Sequence, residues 1–369
     1  MVLSGGGARG AYQAGVLRAI AEISGTLGHD CAIPIITGVS AGAVNAAYLA
    51  AMSDDMTEAT DKMALMWTRM TTDRVFRTDA VSAGWSGLRL FTDATMGAFY
   101  KRKLARSLLD TAPLHRFLNE TIPFDRIGKN LENGCAEALA VTAMRYTDST
   151  SITFIQSHKE VPAWTRSRRR SEFGPIGADH VMASSAIPLF FPPVRIEGGE
   201  HFGDGCLRNT APLSPAVHLG AEKILVISVR KPDSRVPNGK DILEPSMARI
   251  LGVILNALLL DSIDVDMERM SRVNHTIDLI PEQQRQDLQL RKVEYLWLRP
   301  SRDIGHLAGD LFDRLPRVMR YLVGGLGTSK EAAELTSYLL FDPDFCGQLV
   351  HWGYEDGMAQ RAEIEAFLQ

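Results

Sequence analysis

The chain of 369 residues is 45% hydrophobic and 23% charged, a composition that indicates a globular protein with a sizeable core. Its formal net charge of -4 excludes a strong overall attraction to polyanions, so we expect no nucleic-acid partner. The four cysteines form no CxxC pair, which disfavours a disulfide scaffold and a structural zinc site and indicates a reducing compartment.

The first predicted elements repeat one pattern: a short apolar strand, a glycine-containing turn and a helix. Met1–Leu3 ends a strand, and apolar residues at helical spacing predict a helix over Ala11–Ile23. The run CAIPIITGVS predicts a second strand, and a helix of small residues follows over Ala41–Met52. Two consecutive β-turn-α units indicate an α/β sheet with its sites at the carboxyl ends of the strands.

The rest of the chain alternates between helical and strand-like segments. Residues 57–117 are mostly helical, interrupted by VSAGWSGLRLF, and predict an insertion on the sheet. Strands are expected at AEALAVTAMRY, SITFIQS and KILVISV, and beyond about Pro237 the pattern is again helical apart from VEYLWL. Without internal repeats or a low-complexity linker, we expect one elaborated domain over residues 1–230, with a mainly helical extension over residues 231–369 packed on it.

Membrane and secretion signals are weak in this sequence. The apolar stretch Leu251–Leu260 is about half of the roughly 20 residues that a membrane-spanning helix needs, and no basic, apolar, cleavable leader is visible. We therefore expect a cytoplasmic protein, with peripheral membrane contact as an option. Because the first strand begins almost at Met1, a secretion signal lost by trimming stays open as an alternative.

The pentapeptide GVSAG, Gly38–Gly42, matches the G-x-S-x-G pattern in its expected context between an apolar strand and a helix. Its glycines suit a turn so tight that side chains two residues from the serine would collide. Such a turn presents the Ser40 hydroxyl as a nucleophile at the N-terminus of the helix. The alternative is an ordinary strand-to-helix turn capped by Ser40.

A nucleophilic serine needs a base, and Asp204 in FGDGC is the better candidate. The short apolar and glycine-rich segment before Asp204 places its carboxylate at a turn. The alternative to a catalytic role is an ordinary Asp-Gly β-turn. The usual partner of such a serine is a histidine held by a carboxylate. However, none of the seven histidines named below is a convincing match to a loop that follows a late strand and also carries an acidic residue. These histidines are His158, His180, His201, His218, His275, His306 and His351.

Three separated stretches together resemble the patatin-like phospholipase family: GGGARG at Gly5–Gly10, GVSAG, and the pair Asp204 and Gly205. The segment ASSAIPLFFPP is similar to the one that precedes the aspartate in bacterial members. The order and spacing match over roughly residues 1–229, with a weaker likeness at YLLFDPDF. The chain departs from the family at Cys206, where Ala or Gly is usual. A site that is crowded by the thiol or sensitive to oxidation is therefore a further alternative.

The resemblance implies a three-layer α/β/α patatin-like fold with a central, mostly parallel sheet. It also implies an ester hydrolase that works through a Ser40–Asp204 dyad and an acyl-enzyme, with no metal and no cofactor. Amides of the glycine-rich loop would form the oxyanion hole, where one donor is worth about 3 kcal/mol, and Arg9 would help to fix the loop. The residues assigned to the oxyanion hole are Gly5, Gly6, Gly7, Ala8, Arg9 and Gly10, and the turn glycines are Gly38, Gly42 and Gly205.

The resemblance implies phospholipids, lysophospholipids or simpler acyl esters as substrates. Trp164 and the arginines of WTRSRRR could meet anionic headgroups or form a solvated loop. The segment Pro188–Val194 could shape an acyl pocket or belong to the core. The stretch Met247–Ile263 could cover the cleft, pair with a second subunit or pack in the core, and the oligomeric state stays open.

Three other functions stay open. GGGARG also fits the G-x-G-x-x-G pattern of a nucleotide-binding module, with Asp30 lying 20 positions after Gly10. However, Asp30 precedes the strand whose end should carry the ribose-binding acid. A Ser-His-Asp esterase or acyltransferase would use a late histidine such as His306 or His351. The last alternative is a non-catalytic scaffold.

Overall fold

The structure is a computed structural model that describes residues 1–28, 33–77, 107–196, 198–232, 244–285 and 290–369. Within these ranges one ten-stranded sheet forms the centre of the molecule. Its strands are β1 (Val2–Leu3), β2 (Ile35–Val39), β3 (Ala138–Arg145), β4 (Thr150–Ser157), β5 (Thr165–Arg166), β6 (Arg169–Phe173), β7 (Val194–Arg195), β8 (His201–Asp204), β9 (Lys223–Ile227) and β10 (Glu294–Leu298).

Helices flank this sheet. In the first part of the chain they are α1 (Gly10–Thr26), α2 (Ala41–Ala51), α3 (Met56–Thr68), α4 (Thr72–Val75), α5 (Ala112–Thr121), α6 (Phe124–Glu132), α7 (Ala178–Ser184) and α8 (Ser214–His218). In the C-terminal part they are α9 (Met247–Leu259), α10 (Asp261–Asp278), α11 (Glu282–Arg285), α12 (Ile304–Asp310), α13 (Arg317–Gly324), α14 (Ala333–Leu339), α15 (Pro343–Ala359) and α16 (Arg361–Leu368).

The middle of the sheet is parallel. The strand order is β10-β9-β1-β2-β3-β4-β6-β5, with β8 also paired to β3 and β7 paired to β8. Strands β10, β9, β1, β2 and β3 run parallel to one another, whereas β4 and β8 pair with β3 in the antiparallel direction. Parallel strands need crossover connections, which the helices provide. The mixed α/β fold with a central, mostly parallel sheet and a helical C-terminal part is confirmed.

Neighbouring residues of one strand belong to different cores, because side chains of a strand alternate between its two faces. Leu3 and Ile36 join the main hydrophobic core, which also contains residues of α1, α2 and α15. Val2 and Ile35 join a second core, formed with residues of α8 and α10. The two helical layers therefore lie on opposite faces of the sheet.

The C-terminal part is built into the same molecule. Strand β10 extends the sheet beside β9, and α15 packs along α1 on the main core. The buried Tyr12 hydroxyl of α1 donates to Asp356 of α15 at 3.0 Å, and the Ser301 hydroxyl donates to the other oxygen of Asp356 at 2.6 Å. The division of the chain near residue 230 stays a prediction.

Strands and helices lie where the alternation and the helical spacing predict them, but two antiparallel hairpins were not predicted. One, β5–β6, occupies the stretch WTRSRRR, and the other, β7–β8, ends at Asp204. The segment VSAGWSGLRLF, within the expected insertion, lies outside the described residues. None of the described helices is long and apolar enough to cross a bilayer.

Candidate functional site

Ser40 and Asp204 meet because β3 pairs with two strands along the same edge. Strand β4 occupies the other edge of β3 throughout. On the shared edge, β2 runs parallel to β3 as far as the pair Val39 and Thr142, and Ser40 follows at once. Strand β8 then continues along this edge, with Asp204 opposite Ala143. This register brings the two side chains together across 164 positions of sequence.

The backbone of Ser40 is strained, with φ 55° and ψ −127°. Residues other than glycine avoid this region of φ/ψ space. Hydrogen bonds from the end of α7 hold it there. The Ser40 N–H donates to Ser184 Oγ at 2.9 Å, and the Ser185 hydroxyl donates to the Ser40 carbonyl at 3.1 Å. Ser184 in turn donates to the carbonyl of Thr142 at 2.6 Å, so α7 fixes the turn to β3.

The turn glycines lie at close backbone contacts. A Cβ at Gly38 would lie 2.2 Å from the carbonyl oxygen of Gly42, and a Cβ at Gly42 would lie 2.2 Å from that of Leu3. At Gly205 a Cβ would lie 2.0 Å from the carbonyl oxygen of Thr142. Only glycine fits such contacts, and this explains the pattern G-x-S-x-G in a turn between a strand and a helix.

The Ser40 hydroxyl donates to Oδ2 of Asp204 at 2.8 Å, and the backbone N–H of Cys206 donates to Oδ1 at 2.9 Å. Both members of the pair are buried. Burial raises the pKa of Asp204 to about 6, against the hydrogen bonds from Cys206 and Ser40, which lower it. A carboxylate with a raised pKa is a better proton acceptor from a neutral hydroxyl than an exposed aspartate.

Cys206 fills the space between the aspartate and the glycine-rich loop. A Cβ at Gly5 would lie 2.6 Å from its sulfur, so the thiol packs against this loop. Burial and the neighbouring Asp204 raise the pKa of the Cys206 thiol well above its ordinary value. The thiol is therefore protonated near neutral pH, and only the thiolate is a strong nucleophile.

The glycine-rich loop joins β1 to α1 and folds into a 3-10 turn over Gly7–Arg9. Gly6 and Gly7 have φ of 153° and 57°, values that glycine adopts without strain. The N–H groups of Arg9 and Gly10 donate to carbonyls of the turn itself. The N–H groups of Gly6, Gly7 and Ala8 have no hydrogen-bond acceptor within the described ranges, so these three groups are free to donate to a ligand.

Arg9 anchors the loop to α14 in the C-terminal part. Its Nε donates to Ser337 Oγ at 2.8 Å, and its Nη2 donates to Glu334 Oε2 at 2.5 Å. The guanidinium also lies over the ring of Tyr338, 4.5 Å from the centroid. A Cβ at Gly7 would lie 2.3 Å from the Tyr338 carbonyl oxygen, so the loop lies directly on α14.

A buried polar network supports the other side of the loop. Asn45 on α2 donates to the carbonyl of Gly10 at 3.1 Å and to Gln13 Oε1 at 2.9 Å. Gln13 donates to the carbonyl of Ser4 at 2.8 Å, and the Trp67 indole N–H donates to Asn45 Oδ1 at 2.8 Å. Satisfied buried networks hold one arrangement, so this network fixes both ends of the loop.

An apolar cavity of about 40 Å³ opens beside Ser40. Its walls come mainly from α2, α3, α5 and the segment that follows α7, and they are apolar apart from two serines. A cavity of this size holds a few water molecules, so a long acyl chain enters only if wall side chains move. The lining residues are Gly7, Ser40, Ala41, Val44, Trp67, Met70, Val75, Leu114, Phe117, Ser185, Ile187, Phe191 and Phe341.

In the part of the chain that the structure describes, the Ser40 hydroxyl bonds to Asp204 and to no histidine. His306 lies 3.7 Å from Asp310 and His351 lies 3.3 Å from Glu355, both at exposed positions. The same ranges contain no cluster of three His, Cys, Asp or Glu side chains suited to a metal. Asp30, the acid of the nucleotide-binding alternative, lies outside them.

Several residues around the site were missed in the sequence. Ser184 and Ser185 lie in ASSAIPLFFPP, so the signal was present, but no role was assigned to them. Glu334 and Ser337 carry no local signal, because they lie more than 300 positions from Arg9. Asn45 reads as one polar residue in a helix of small residues, and its bond to the loop depends on how α1 and α2 pack.

A family model described as patatin-like phospholipase matches residues 1–217. Among solved structures, the crystal structure of VipD from Legionella pneumophila is similar, with 16% sequence identity and a TM-score of 0.33. The match covers 95% of this chain and 66% of the VipD chain, so this chain spans slightly less than two thirds of its length. A search of curated proteins finds no significant match.

Proposed function

The chain belongs to the patatin-like phospholipase family, which supports lipid acyl hydrolysis in general, and from this premise we propose that Ser40 and Asp204 cleave carboxylic esters as a dyad. The observation that carries the proposal is the 2.8 Å hydrogen bond from the Ser40 hydroxyl to Asp204 Oδ2. This pair lies beside an apolar cavity and a loop with three N–H groups, those of Gly6, Gly7 and Ala8, that have no acceptor in the described ranges. Nucleophile, base, anion donors and acyl site therefore lie together.

In the first half of the proposed reaction, Ser40 Oγ attacks the ester carbonyl carbon while Asp204 accepts its proton. The negative charge that develops on the carbonyl oxygen is stabilised by the N–H groups of Gly6 and Gly7, which are already in place. When the tetrahedral intermediate collapses, the bond to the leaving alcohol breaks and Asp204 returns the proton to that oxygen. The acyl group remains on Ser40 as an ester.

In the second half, Asp204 accepts a proton from a water molecule that attacks the acyl carbonyl carbon. The same N–H groups stabilise the second oxyanion. Collapse releases the carboxylic acid and returns the proton to Ser40 Oγ. Asp204 thus acts as base and then as acid in each half, a role that its raised pKa of about 6 suits.

We propose a phospholipid, a lysophospholipid or a simpler acyl ester as the substrate, with its acyl chain in the apolar cavity. The wall residues Trp67, Phe117 and Phe191 favour a hydrocarbon chain over a charged group. Access to lipid would be by peripheral contact with a membrane surface. Leu189, two residues before Phe191 in the chain, supports this because it is 71% exposed.

The test compares wild type with Ser40→Ala and Asp204→Asn on p-nitrophenyl esters of several chain lengths, phosphatidylcholine and lysophosphatidylcholine. Both variants should lose at least about 10³-fold in kcat, and a fluorophosphonate should label wild type but not Ser40→Ala. Ser53→Ala is the matched control, because Ser53 is a buried serine just beyond the other end of α2 that bonds to the carbonyl of Ala50. Activity that persists in Ser40→Ala would overturn the proposal.

A further inference from the structure

A solvent-open basin lies on the sheet face covered by α8 and α10, opposite the face that carries α1 and α2. Its volume is about 640 Å³, which is within the range of small-molecule sites and far larger than the cavity beside Ser40. The charged and titratable side chains that line it come from the hairpin β5–β6, from α8 and α10, and from the segment before β10. They are Arg166, Arg169, His218, Asp266, Arg269 and Arg291.

The basin has an excess of positive charge. Arg269 is paired with Asp266, the acid among the basin residues, at 3.0 Å. Arg166, Arg169 and Arg291 form no ion pair with any carboxylate in the described ranges. Three guanidinium groups around one concavity repel each other, and an anion between them would turn that repulsion into attraction.

Burial and the positive potential of the basin together lower the pKa values of two of its side chains, His218 and Arg169. Burial and the charges of Arg166 and Arg169 lower the pKa of His218. Burial lowers the pKa of Arg169, and the nearby cations Arg269 and Arg166 lower it further, against the effect of Asp266. His218 is held flat against Trp164, with ring centroids 4.7 Å apart and an interplanar angle of 12°, so one wall of the basin is a fixed aromatic surface.

The remaining lining is mostly apolar and includes Leu213, Val217, Met270 and Val293. A small inorganic ion would leave this surface uncovered, whereas an anion attached to an apolar or aromatic body would use both parts. Guanidinium forks match the oxygens of a phosphate group in pairs. We propose that this basin binds a small organic phosphate, with its phosphate group at Arg166, Arg169 and Arg291 and its body on the apolar surface.

The place of the basin distinguishes it from the ester site. Leu213 and Val293 share a core with Val2 and Val226, whereas the cavity beside Ser40 lies among residues of the core on the other face. A phosphate bound here does not touch Ser40 or Asp204. The ligand is therefore a second molecule and not the leaving group of the ester.

The test is isothermal titration calorimetry of the full chain with phenyl phosphate, inorganic phosphate and benzoate at low salt. We expect saturable binding of phenyl phosphate, weaker binding of inorganic phosphate and the weakest binding of benzoate, with affinities that fall as salt increases. A parallel arm measures sedimentation with phosphatidylcholine vesicles that contain phosphatidic acid, whose headgroup is a phosphomonoester. Binding of phenyl phosphate assigns a soluble ligand, and binding in the vesicle arm alone assigns a lipid headgroup.

The variant Arg166→Gln/Arg169→Gln should weaken binding at least about tenfold, as the loss of charge-assisted hydrogen bonds predicts, and Arg291→Gln should weaken it as well. Arg170→Gln is the matched control, because Arg170 lies on the same hairpin, is exposed and does not line the basin. Thermal unfolding and ester hydrolysis establish that each variant is folded. Absence of binding in both arms, equal binding of benzoate, or equal losses in Arg170→Gln would overturn the proposal.

Discussion

Arg9 and Glu334 form an ion pair across 325 positions of sequence, with 2.5 Å between Nη2 and Oε2. The arginine side chain is 4% exposed and the glutamate side chain 35%. One partner belongs to the glycine-rich loop at the start of the chain, and the other to α14, well beyond residue 217 where the family match ends. The loop beside Ser40 is therefore anchored by a helix that lies outside the residues matched by the family model.

Glu334→Gln tests this dependence. The change leaves an oxygen that can accept from Arg9 but removes the negative charge. We therefore expect the loop to keep its fold but to hold its N–H groups less firmly in position, with kcat about tenfold lower and KM little changed. Glu331→Gln is the control, since Glu331 is half-buried and bonds to Thr328 instead of the loop. Steady-state kinetics on a short p-nitrophenyl ester gives both parameters. Equal kcat in wild type and Glu334→Gln would mean that the ion pair does not position the loop.

The raised pKa of Asp204 predicts the pH dependence of the activity. As a base the carboxyl must be ionised, so kcat/KM should rise with pH through about 6 and then level off. A histidine base would give a rise near its own pKa, so the profile is combined with Asp204→Asn, which should abolish turnover, and with His306→Ala and His351→Ala, which should not. Full activity in Asp204→Asn would exclude the dyad.

The same shift predicts that Asp204 lowers the stability of the folded chain at neutral pH. Its folded pKa of about 6 lies above the ordinary aspartate pKa of 3.8, so between these two pH values the folded state holds a proton that the unfolded state has lost. Stability from this group is full below about pH 4 and is lost as pH rises through 6, by roughly 3 kcal/mol. Asp204→Asn should therefore unfold at a higher temperature than wild type at pH 7.5, and the difference should shrink toward pH 4.

The parallel sheet and the turn that carries Ser40 could be predicted from the sequence because their signals are local. Strand, glycine turn and helix follow one another at Ser40, and each leaves its own pattern. The partner of Ser40 is different, because its place depends on β8 continuing along the edge of β3 beyond β2, a register that no local pattern specifies. The glycine-rich turn FGDGC made Asp204 the better candidate for the base, and the family resemblance then pairs it with Ser40.

The basin and the anchor of Arg9 lay beyond sequence reasoning for a related reason. WTRSRRR reads as a charged loop or a membrane contact, since nothing in it indicates that Arg166 and Arg169 face α10. Arg291 lies more than 120 positions later and joins them only because β10 adds to the sheet beside β9. Clusters formed by distant segments follow from packing, and packing is decided by the whole core.

The narrow cavity predicts a preference for short acyl chains. With about 40 Å³ beside Ser40, a butyrate ester should be hydrolysed faster than a palmitate ester. Phe341→Leu removes ring atoms from the cavity wall and should move the preference toward longer chains, by several-fold in the ratio of kcat/KM values. Phe345→Leu is the control, because Phe345 is fully buried nearby but does not line the cavity. The same change of ratio in both variants would show a general loosening of the core instead of a wider cavity.

Contact with a lipid surface is tested at Leu189, which is 71% exposed and has φ 69°, a conformation that asparagine adopts more easily than leucine. Its carbonyl accepts from the N–H of Leu108 at 2.9 Å, so the backbone is held in place whatever the side chain. Leu189→Asn should leave hydrolysis of a soluble butyrate ester unchanged, because the side chain does not line the cavity. On phosphatidylcholine vesicles it should lower the rate about tenfold or more, since burial of a leucine in lipid is worth about 1.5 kcal/mol or more. Equal rates on vesicles would place the lipid contact elsewhere, and a loss on both substrates would place Leu189 in the ester site itself.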